Sequence, residues 1–478
     1  MTSTPVSPNR TLVALSIAVG AFSSLQSLLV PVLPVMQTDL GTDTAGITWA
    51  LTTWLITAAV ATPIVGRIGD LVGKRRTLIA SIAIVALGCV VSAVAPNLAI
   101  LLLGRVLQGF GGAMFPLAFG LVREAVPAAR VAGAIGIIAA VTAVGSGVGT
   151  ALSGPLAALI GWRGLFLVPF AGIVIGAVLV LRAVPESSVR APGRLNIPAA
   201  LLLSGALVTF LLPISLGSAW GWGSPLTLGM FGLAVVLTAV WIVVELRSSQ
   251  PLVDMRMMRL PGVWNANIAA ILVGGAMFGV WAYFARFLQE PTSIGYGLGL
   301  DVTQAGLVMV PMLVLLAVAG FVVAPLSRIL SSRNQVIAGS VVAVGSTVSI
   351  ALLHADVWQL MIASALFGFG VGLVLAAITG VVVQNVPLAQ TGVATGMNTN
   401  LRTIGSALGT ALMTAIVTGS VTTASGGRPT EAGYVTGFLV LAAIGLVAAV
   451  IVAIVRPAPP ATRDVPADTA ELESAAVD

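Results

Sequence analysis

Gly66-Arg67-Ile68-Gly69-Asp70-Leu71-Val72-Gly73-Lys74-Arg75-Arg76 joins two apolar runs, 47–69 and 77–95. Each run is about the length that crosses a bilayer as a helix. The glycines permit a tight turn and close approach of neighbouring backbones. Asp70 is placed to face a helix N-terminus or an arginine. Lys74, Arg75 and Arg76 hold the loop at the cytoplasmic surface. A merely solvated charged loop is the bland alternative. The density of the pattern and its place between two spans argue against it.

The rest of the chain fits that start. Its 478 residues are 58% hydrophobic and only 8% charged, where a soluble protein carries roughly a quarter charged residues. Mean hydropathy is +1.08. Soluble and disordered chains are excluded. The formal charge of +6 sits mostly in short loops between apolar runs and gives no reason to expect nucleic acid. One cysteine, Cys89, and one histidine, His354, leave no basis for a disulfide, a Cys or His metal site or a histidine relay. We expect no cofactor and no metal.

Dividing the chain at charges, prolines and glycine-rich breaks predicts about fourteen spans: 12–36, 47–69, 77–95, 98–120, 131–154, 163–183, 197–217, 225–245, 264–289, 303–326, 335–353, 357–383, 393–417 and 434–456. The runs do not alternate as barrel strands do. The first is too long for a signal-peptide core, and Pro31 and Pro34 occupy the place of a cleavage site. With both termini inside, the inner segments carry almost every arginine and the lone lysine; the outer ones carry only Arg163 and Arg428. That bias puts both termini in the cytoplasm of a multi-pass protein of the plasma (inner) membrane. The Pro/Ala-rich acidic tail reads as disordered.

Two long connections, Pro185 to Pro198 and Arg247 to Gly262, bracket two spans. The chain therefore reads as all-α: a six-helix bundle (1–184), an inserted helix pair with its cytoplasmic linkers (185–262), a second six-helix bundle (263–456) and a tail (457–478). Gly104–Gly112 on the fourth span has an echo in Phe367–Gly372 on the twelfth, a repeat of the kind found in secondary transporters. Gly145, Gly149 and Ser153 stand four apart, as do Gly392 and Gly396, and Gly405 and Gly409. Such spacing lets helix backbones approach closely, either as static packing or as a sliding interface between halves.

The loop from Gly66 to Arg76 resembles the signature of the major facilitator superfamily. Arg105 with Gln108-Gly109 resembles that family's fourth-helix motif. Gly145-Ser146-Gly147-Val148-Gly149-Thr150-Ala151-Leu152-Ser153-Gly154 resembles the antiporter motif of the fifth helix, and Gly161-Trp162-Arg163 follows in the usual place. Gln304-Ala305-Gly306 with Pro311, and the segment Gly392 to Arg402, also fit. With the inserted pair, the whole is similar to the fourteen-helix drug:proton antiporter family. The resemblance implies two bundles facing a central cavity, with the inserted pair at the periphery. It also implies a conformational switch at Gly66, Asp70, Gly73, Lys74 and Arg75, and helix packing at Gly145, Gly149, Ser153 and Gly154. Departures stand beside it. Thr150 replaces the proline of the fifth-helix motif, the first helix has no acid around Gln26, Asn196 replaces an acid before the seventh helix, and 324–333 has lost the Gly and Asp of the loop motif.

Ionisable residues within spans are costly and default to function. Three stand out, all arginine. Arg105 and Arg402 lie roughly 10–15 Å from a helix end, and Arg286 lies near the outer end of its helix. No carboxylate sits as deep. Gln26, Trp54, Arg105, Gln108, Arg286, Asn398 and Arg402 are the cavity candidates, with backbone bonding the bland role for Arg105 and Arg402 and surface snorkelling that for Arg286. Asp70 and Glu124 are the proton-coupling candidates. A cation about 8 Å from a buried arginine, at an effective dielectric of about 20, is repelled by about 2 kcal/mol. Neutral or anionic amphiphiles are therefore the favoured cargo, with Arg402 the expected contact.

The function expected is secondary-active export of small amphiphilic molecules, as in drug or metabolite efflux and multidrug resistance, coupled to protons by alternating access. Proton-coupled or facilitated uptake of a small anionic or neutral solute is the alternative. An intramembrane enzyme would need acidic or His/Asp clusters, which the spans lack, and no phosphate-binding loop supports an ATP-driven pump. The expected partners are a small-molecule substrate, protons and the lipid bilayer, around a monomeric chain.

Overall fold

Prolines and glycines decide where the apolar runs break into helices. The computed structural model describes residues 7–29, 32–42, 44–421 and 428–454; Pro31, Asp43 and the predicted disordered tail lie outside them. The first predicted span divides. Helix α1 (Pro8–Leu28) ends before the proline pair, and a short α2 (Leu33–Asp39) starts afresh with Pro34 in its first turn, where its missing N–H costs nothing. Helix α3 (Thr44–Val72) runs to the quoted loop, and Gly73 turns the chain into α4 (Lys74–Ala93) at φ 127°, a conformation that suits glycine alone.

The fourth span is also interrupted. α5 (Leu98–Gly109) and α6 (Met114–Ala125) are joined by one 3-10 turn, Phe110–Ala113. α7 (Ala128–Gly164) exceeds the predicted 131–154. It contains Pro155, and its backbone departs from helix at Gly161; its last part meets α8 (Leu167–Ala183) at 81°.

The inserted segment contributes α9 (Ile197–Trp220) and α10 (Pro225–Arg247), then a single turn, α11 (Met255–Met258). The chain continues through α12 (Pro261–Gln289), α13 (Val302–Leu326), α14 (Ser332–Leu352), α15 (Val357–Gln384), α16 (Thr391–Gly419) and α17 (Glu431–Ile454). Asn196, in the place of the absent acid, caps α9 by accepting the N–H of Ala199 at 3.2 Å. Among the described residues, thirteen helices are long and apolar enough to cross a membrane, fourteen if the bent α7–α8 pair adds one span.

The buried apolar residues fall into separate clusters. One lies within Ala14–Val184, joined by Val383; the others are built mainly from 199 onward. Close packing joins α1 to α7 and α8, α12 to α16 and α17, and α13 and α14 to α15. Two seams cross between the groups: α3 and α6 against α16, and α7 against α13. The side bearing Lys74, Arg75, Arg123 and Arg190 is called the basic face below, and the side bearing Asp39 and Arg163 the opposite face.

The inserted pair corrects an expectation. α10 is peripheral, with Val235 70% exposed, as lipid contact requires. α9 is not peripheral: it packs on α3 and α16, and Ile214, Ser215 and Trp222 line the central cavity. A helix apolar on every side can face lipid with one stripe and fill the groove between α3 and α16 with the other.

Candidate functional site

The first half of the site is a seam at the basic face. Here Gly66 of α3 and Gly392 of α16 touch backbone to backbone; a Cβ on either would lie 2.9 Å from the carbonyl oxygen of the other. Side chains larger than hydrogen would hold the helices apart. Asp70, one turn beyond Gly66, is fully buried. Its carboxylate accepts the N–H of Gly392 at 3.3 Å and of Val393 at 3.1 Å. These are orphan donors in the first turn of α16, where the helix dipole also favours an anion.

Lys74 closes the network from the other side. Its buried Nζ lies 3.3 Å from Asp70 and 2.8 Å from Glu124. Arg123, beside Glu124 on α6, donates to the Thr391 hydroxyl of α16 at 2.8 Å. The linker after α8 lies over the same place: Ser187 donates to Glu124 at 2.9 Å, Ala191 N–H donates to the Asp70 carbonyl at 2.7 Å, and Glu186 accepts the Arg75 N–H at 3.2 Å. The Arg75 side chain donates to the Leu181 carbonyl at 2.6 Å. The structure thus brings together Gly66, Asp70, Gly73, Lys74, Arg75 and Glu124, and adds Ser187 and Glu186, which sequence reasoning missed because nothing local marks a linker as docked.

The second half is a cavity of about 600 Å³ between the helix groups. Its walls include Gln26 of α1, Trp54 of α3, Thr142 and Ser146 of α7, Phe278 and Trp281 of α12, and the face of α16 that carries Asn400, Arg402 and Ser406. It reaches Trp222 in the α9–α10 turn, towards the opposite face. Phe278 and Trp281 are stacked, centroids 6.0 Å apart.

Of the predicted cavity residues, Gln26, Trp54 and Arg402 line it; Arg105, Gln108, Arg286 and Asn398 do not. Arg105 is fully buried. Its Nε donates to the Ala50 carbonyl at 2.9 Å and its Nη1 to Gln108 at 2.5 Å, while Gln108 donates to the Gly88 carbonyl and Ser92. The guanidinium lies 5.5 Å from the Trp54 ring, which separates it from the cavity. Arg286 is half exposed at the far end of α12, 3.9 Å from Glu290, because the end of a span lets a long side chain reach the surface. Asn398 is turned to α12, where it donates to the Ala266 carbonyl and to Asn267.

Helical geometry sorts the α16 motif. Gly392, Gly396 and Asn400, four apart, form a stripe against α3: Gly396 meets Thr62 and Pro63, and Asn400 donates to the Ala59 carbonyl at 2.6 Å. Gly405 and Gly409 pack instead on the backbone of α12 at Ile271 and Gly275. Asn400 was legible in that four-residue spacing. Gly145 and Gly149 of α7 pack on Gly20 and Ser24 of α1, within one helix group. The approach between groups uses Gly136 and Gly147 of α7 against Gly320 and Leu313 of α13. Ser153 is fully buried and bonds its own helix at the Thr150 carbonyl, whereas Gly154 has open space around it, so the close approach of the motif does not extend to Gly154.

The profile of the Major Facilitator Superfamily matches residues 15–410 and 266–477. The chain belongs to the major facilitator superfamily. It is a multi-pass membrane transporter. It is similar to the tetracenomycin C resistance and export protein of Streptomyces glaucescens (28% identical over 398 residues, covering 80% of this chain and 71% of the relative). It is also similar to the multidrug resistance protein Stp of Mycobacterium tuberculosis (29% over 396 residues, 81% and 72%) and the multidrug transporter protein MdtP of Bacillus subtilis (24% over 392 residues, 81% and 71%). Its fold matches the human organic anion transporter MFSD10 with a TM-score of 0.68 at 15% identity, over 93% of this chain and 99% of that one.

Proposed function

We propose that this facilitator-superfamily chain exports small amphiphilic molecules across the plasma (inner) membrane by alternating access, driven by the proton gradient. The observation that carries the reading is Asp70 bridging α3 to the first turn of α16 beside a cavity that extends towards the opposite face. The two moving units are the bundles 1–184 and 263–456, with 185–262 between them as an inserted pair and its linkers. The basic face is cytoplasmic, as the charge bias argues, and both termini lie there. The relatives named for resistance and export favour efflux over uptake.

In this arrangement the cytoplasmic seam is closed and the cavity takes its outward side. Opening inward requires Asp70 to leave the N–H groups of Gly392 and Val393, and Asn400 to leave Ala59. Protonation of Asp70 would weaken its bonds to both N–H groups and its attraction to Lys74, so a proton arriving at Asp70 or Glu124 favours release of the seam. A seam that must break and re-form once per cycle needs donors that stay in place on each bundle, which the first turn of α16 provides.

The test is transport by the purified chain in liposomes under an imposed proton gradient, with tetracenomycin C as one probe. Gradient-dependent movement that is strongly slowed in Asp70→Asn supports the reading. Movement indifferent to the gradient, or an Asp70→Asn rate equal to wild type, refutes the coupling or the seam respectively.

A further inference from the structure

Arg402 is the one ionisable side chain among the described residues lining the cavity. It projects from the α16 wall, half-buried, and among the described residues its guanidinium has no hydrogen-bond or ion-pair partner. No carboxylate among the described residues lines the cavity to balance it, and the other buried cation nearby, Arg105, stands behind Trp54 with neutral partners only. The cavity is therefore positive, and its one strong donor group is a five-proton planar fork.

The cavity hydroxyls point the same way. Thr399, Thr403, Ser406 and Thr410 each donate to the carbonyl four residues back on α16, at 2.8–3.1 Å. Their protons are spent inside the helix, and their lone pairs remain to accept from a guest. The remaining walls are apolar, aliphatic at Leu55, Leu316 and Leu375 and aromatic at the Phe278–Trp281 stack, Trp54, and Trp222 from the inserted segment. The Trp222 indole lies over Gly217, where a Cβ would sit 2.9 Å from the ring. The site offers a cation for one acid group, acceptors for hydroxyls and flat apolar surface for rings.

We propose that the cavity binds aromatic molecules carrying one negative charge and ring hydroxyls, with the acid on Arg402 and the rings against the aromatic walls that include Trp222. This names the substrate class of the exporter proposed above and rests on that reading. Arginine binds a carboxylate or sulfonate through two parallel N–H bonds that a lysine cannot reproduce.

Equilibrium binding to the full chain in detergent tests it without requiring transport. The probes are 8-anilinonaphthalene-1-sulfonate, its uncharged analogue N-phenyl-1-naphthylamine, and a lipophilic cation, tetraphenylphosphonium, as competitor. We expect the anion to bind at least about tenfold more tightly than the neutral analogue. Arg402→Gln should lower anion affinity by about tenfold and neutral affinity by less than twofold, and Arg402→Lys should restore only part of the loss. The phosphonium should displace the anion poorly. The proposal is overturned if the cation binds as tightly as the anion, or if Arg402→Gln weakens all three probes alike. Anion binding at Arg402 without gradient-driven movement of any compound would leave this site standing and remove the exporter reading. Gradient-driven export of neutral compounds with no anion preference would do the reverse.

Discussion

Arg105 and Arg402 are the same residue type, each in the interior of an apolar span, and the structure gives them opposite surroundings. Arg105 is enclosed: Ala50 takes its Nε, Gln108 its Nη1, and the face of Trp54 lies beside it, while the buried Nη2 makes no hydrogen bond. Arg402 is open to the cavity and has no partner among the described residues. The difference lies in what the neighbouring helices present. Helix α3 approaches α5 with a backbone carbonyl at Ala50, and Gln108, one turn along α5, completes the cage. The stem of Arg402 packs at Gly274 of α12, but the wall across the cavity is set back, so no described polar group reaches its guanidinium. A buried charge bonded to its neighbouring helices holds them together; one that faces a cavity without a partner is available to a guest.

Folding stability should separate the two most strongly. Arg105→Met removes the tie from α5 to the Ala50 carbonyl, which keeps its place in the α3 helix, and leaves the buried Gln108 carbonyl oxygen without its donor. A buried neutral group stripped of its partner costs about 1–3 kcal/mol, and we expect a fall in melting temperature of roughly 3–6 °C in detergent. Arg402→Gln should stay within about 2 °C of wild type, since it removes no internal bond. Equal falls in thermal scans would break the comparison.

Transport sharpens it from the negative side. Asp70 is a buried charge whose partners lie on both helix groups, so it resembles Arg105 in being bonded to neighbouring helices and Arg402 in serving function. Asp70→Asn keeps the shape and removes the charge, which should slow transport in liposomes by roughly tenfold or more, the loss of about 1.5 kcal/mol or more of charge-assisted bonding, while the protein remains folded and inserted. A mutant that unfolds instead would put Asp70 with Arg105 as scaffold.

A smaller effect is expected at Trp222. If the Arg402 cavity is completed by the inserted segment, Trp222→Ala should weaken binding of the naphthyl probes by roughly threefold, an aromatic contact of about 0.5–1.5 kcal/mol, with little change in melting temperature. Unchanged affinity for both probes would show that Trp222 lines the cavity without contributing to binding.

The smallest effect belongs to the opposite face, where charges are paired but exposed. The Trp162 indole N–H, at 2.9 Å, and then Arg163 hold the Asp39 carboxyl below its ordinary 3.8. A lowered pKa means that the stabilisation is present above the ordinary value and is lost as pH falls through the lowered one. Thermal stability of wild type and Asp39→Asn should therefore differ little, and by a constant amount from about pH 5 to 8, converging only below about pH 4. A difference that changes between pH 6 and 8 would show that another group controls this contact.

Much of this was legible in the chain itself. Apolar runs of about twenty residues must become helices in lipid, because no other open structure satisfies its own backbone there. Their number and the face that carries the arginines follow from composition and loop charge. The dense loop from Gly66 to Arg76 marked the seam, since glycine, a lone acid and a basic cluster have few other uses between two spans. The tertiary structure decided the rest. It showed that Asp70 is bound by the first turn of a helix more than three hundred residues away. It showed that α9 enters the wall while α10 does not. It enclosed Arg105 and left Arg402 open. Hydropathy reports how deep a residue lies, and helical spacing reports which face it shares. Neither reports what a distant helix presents to that face, and for a charge inside a membrane that is what separates a brace from a binding group.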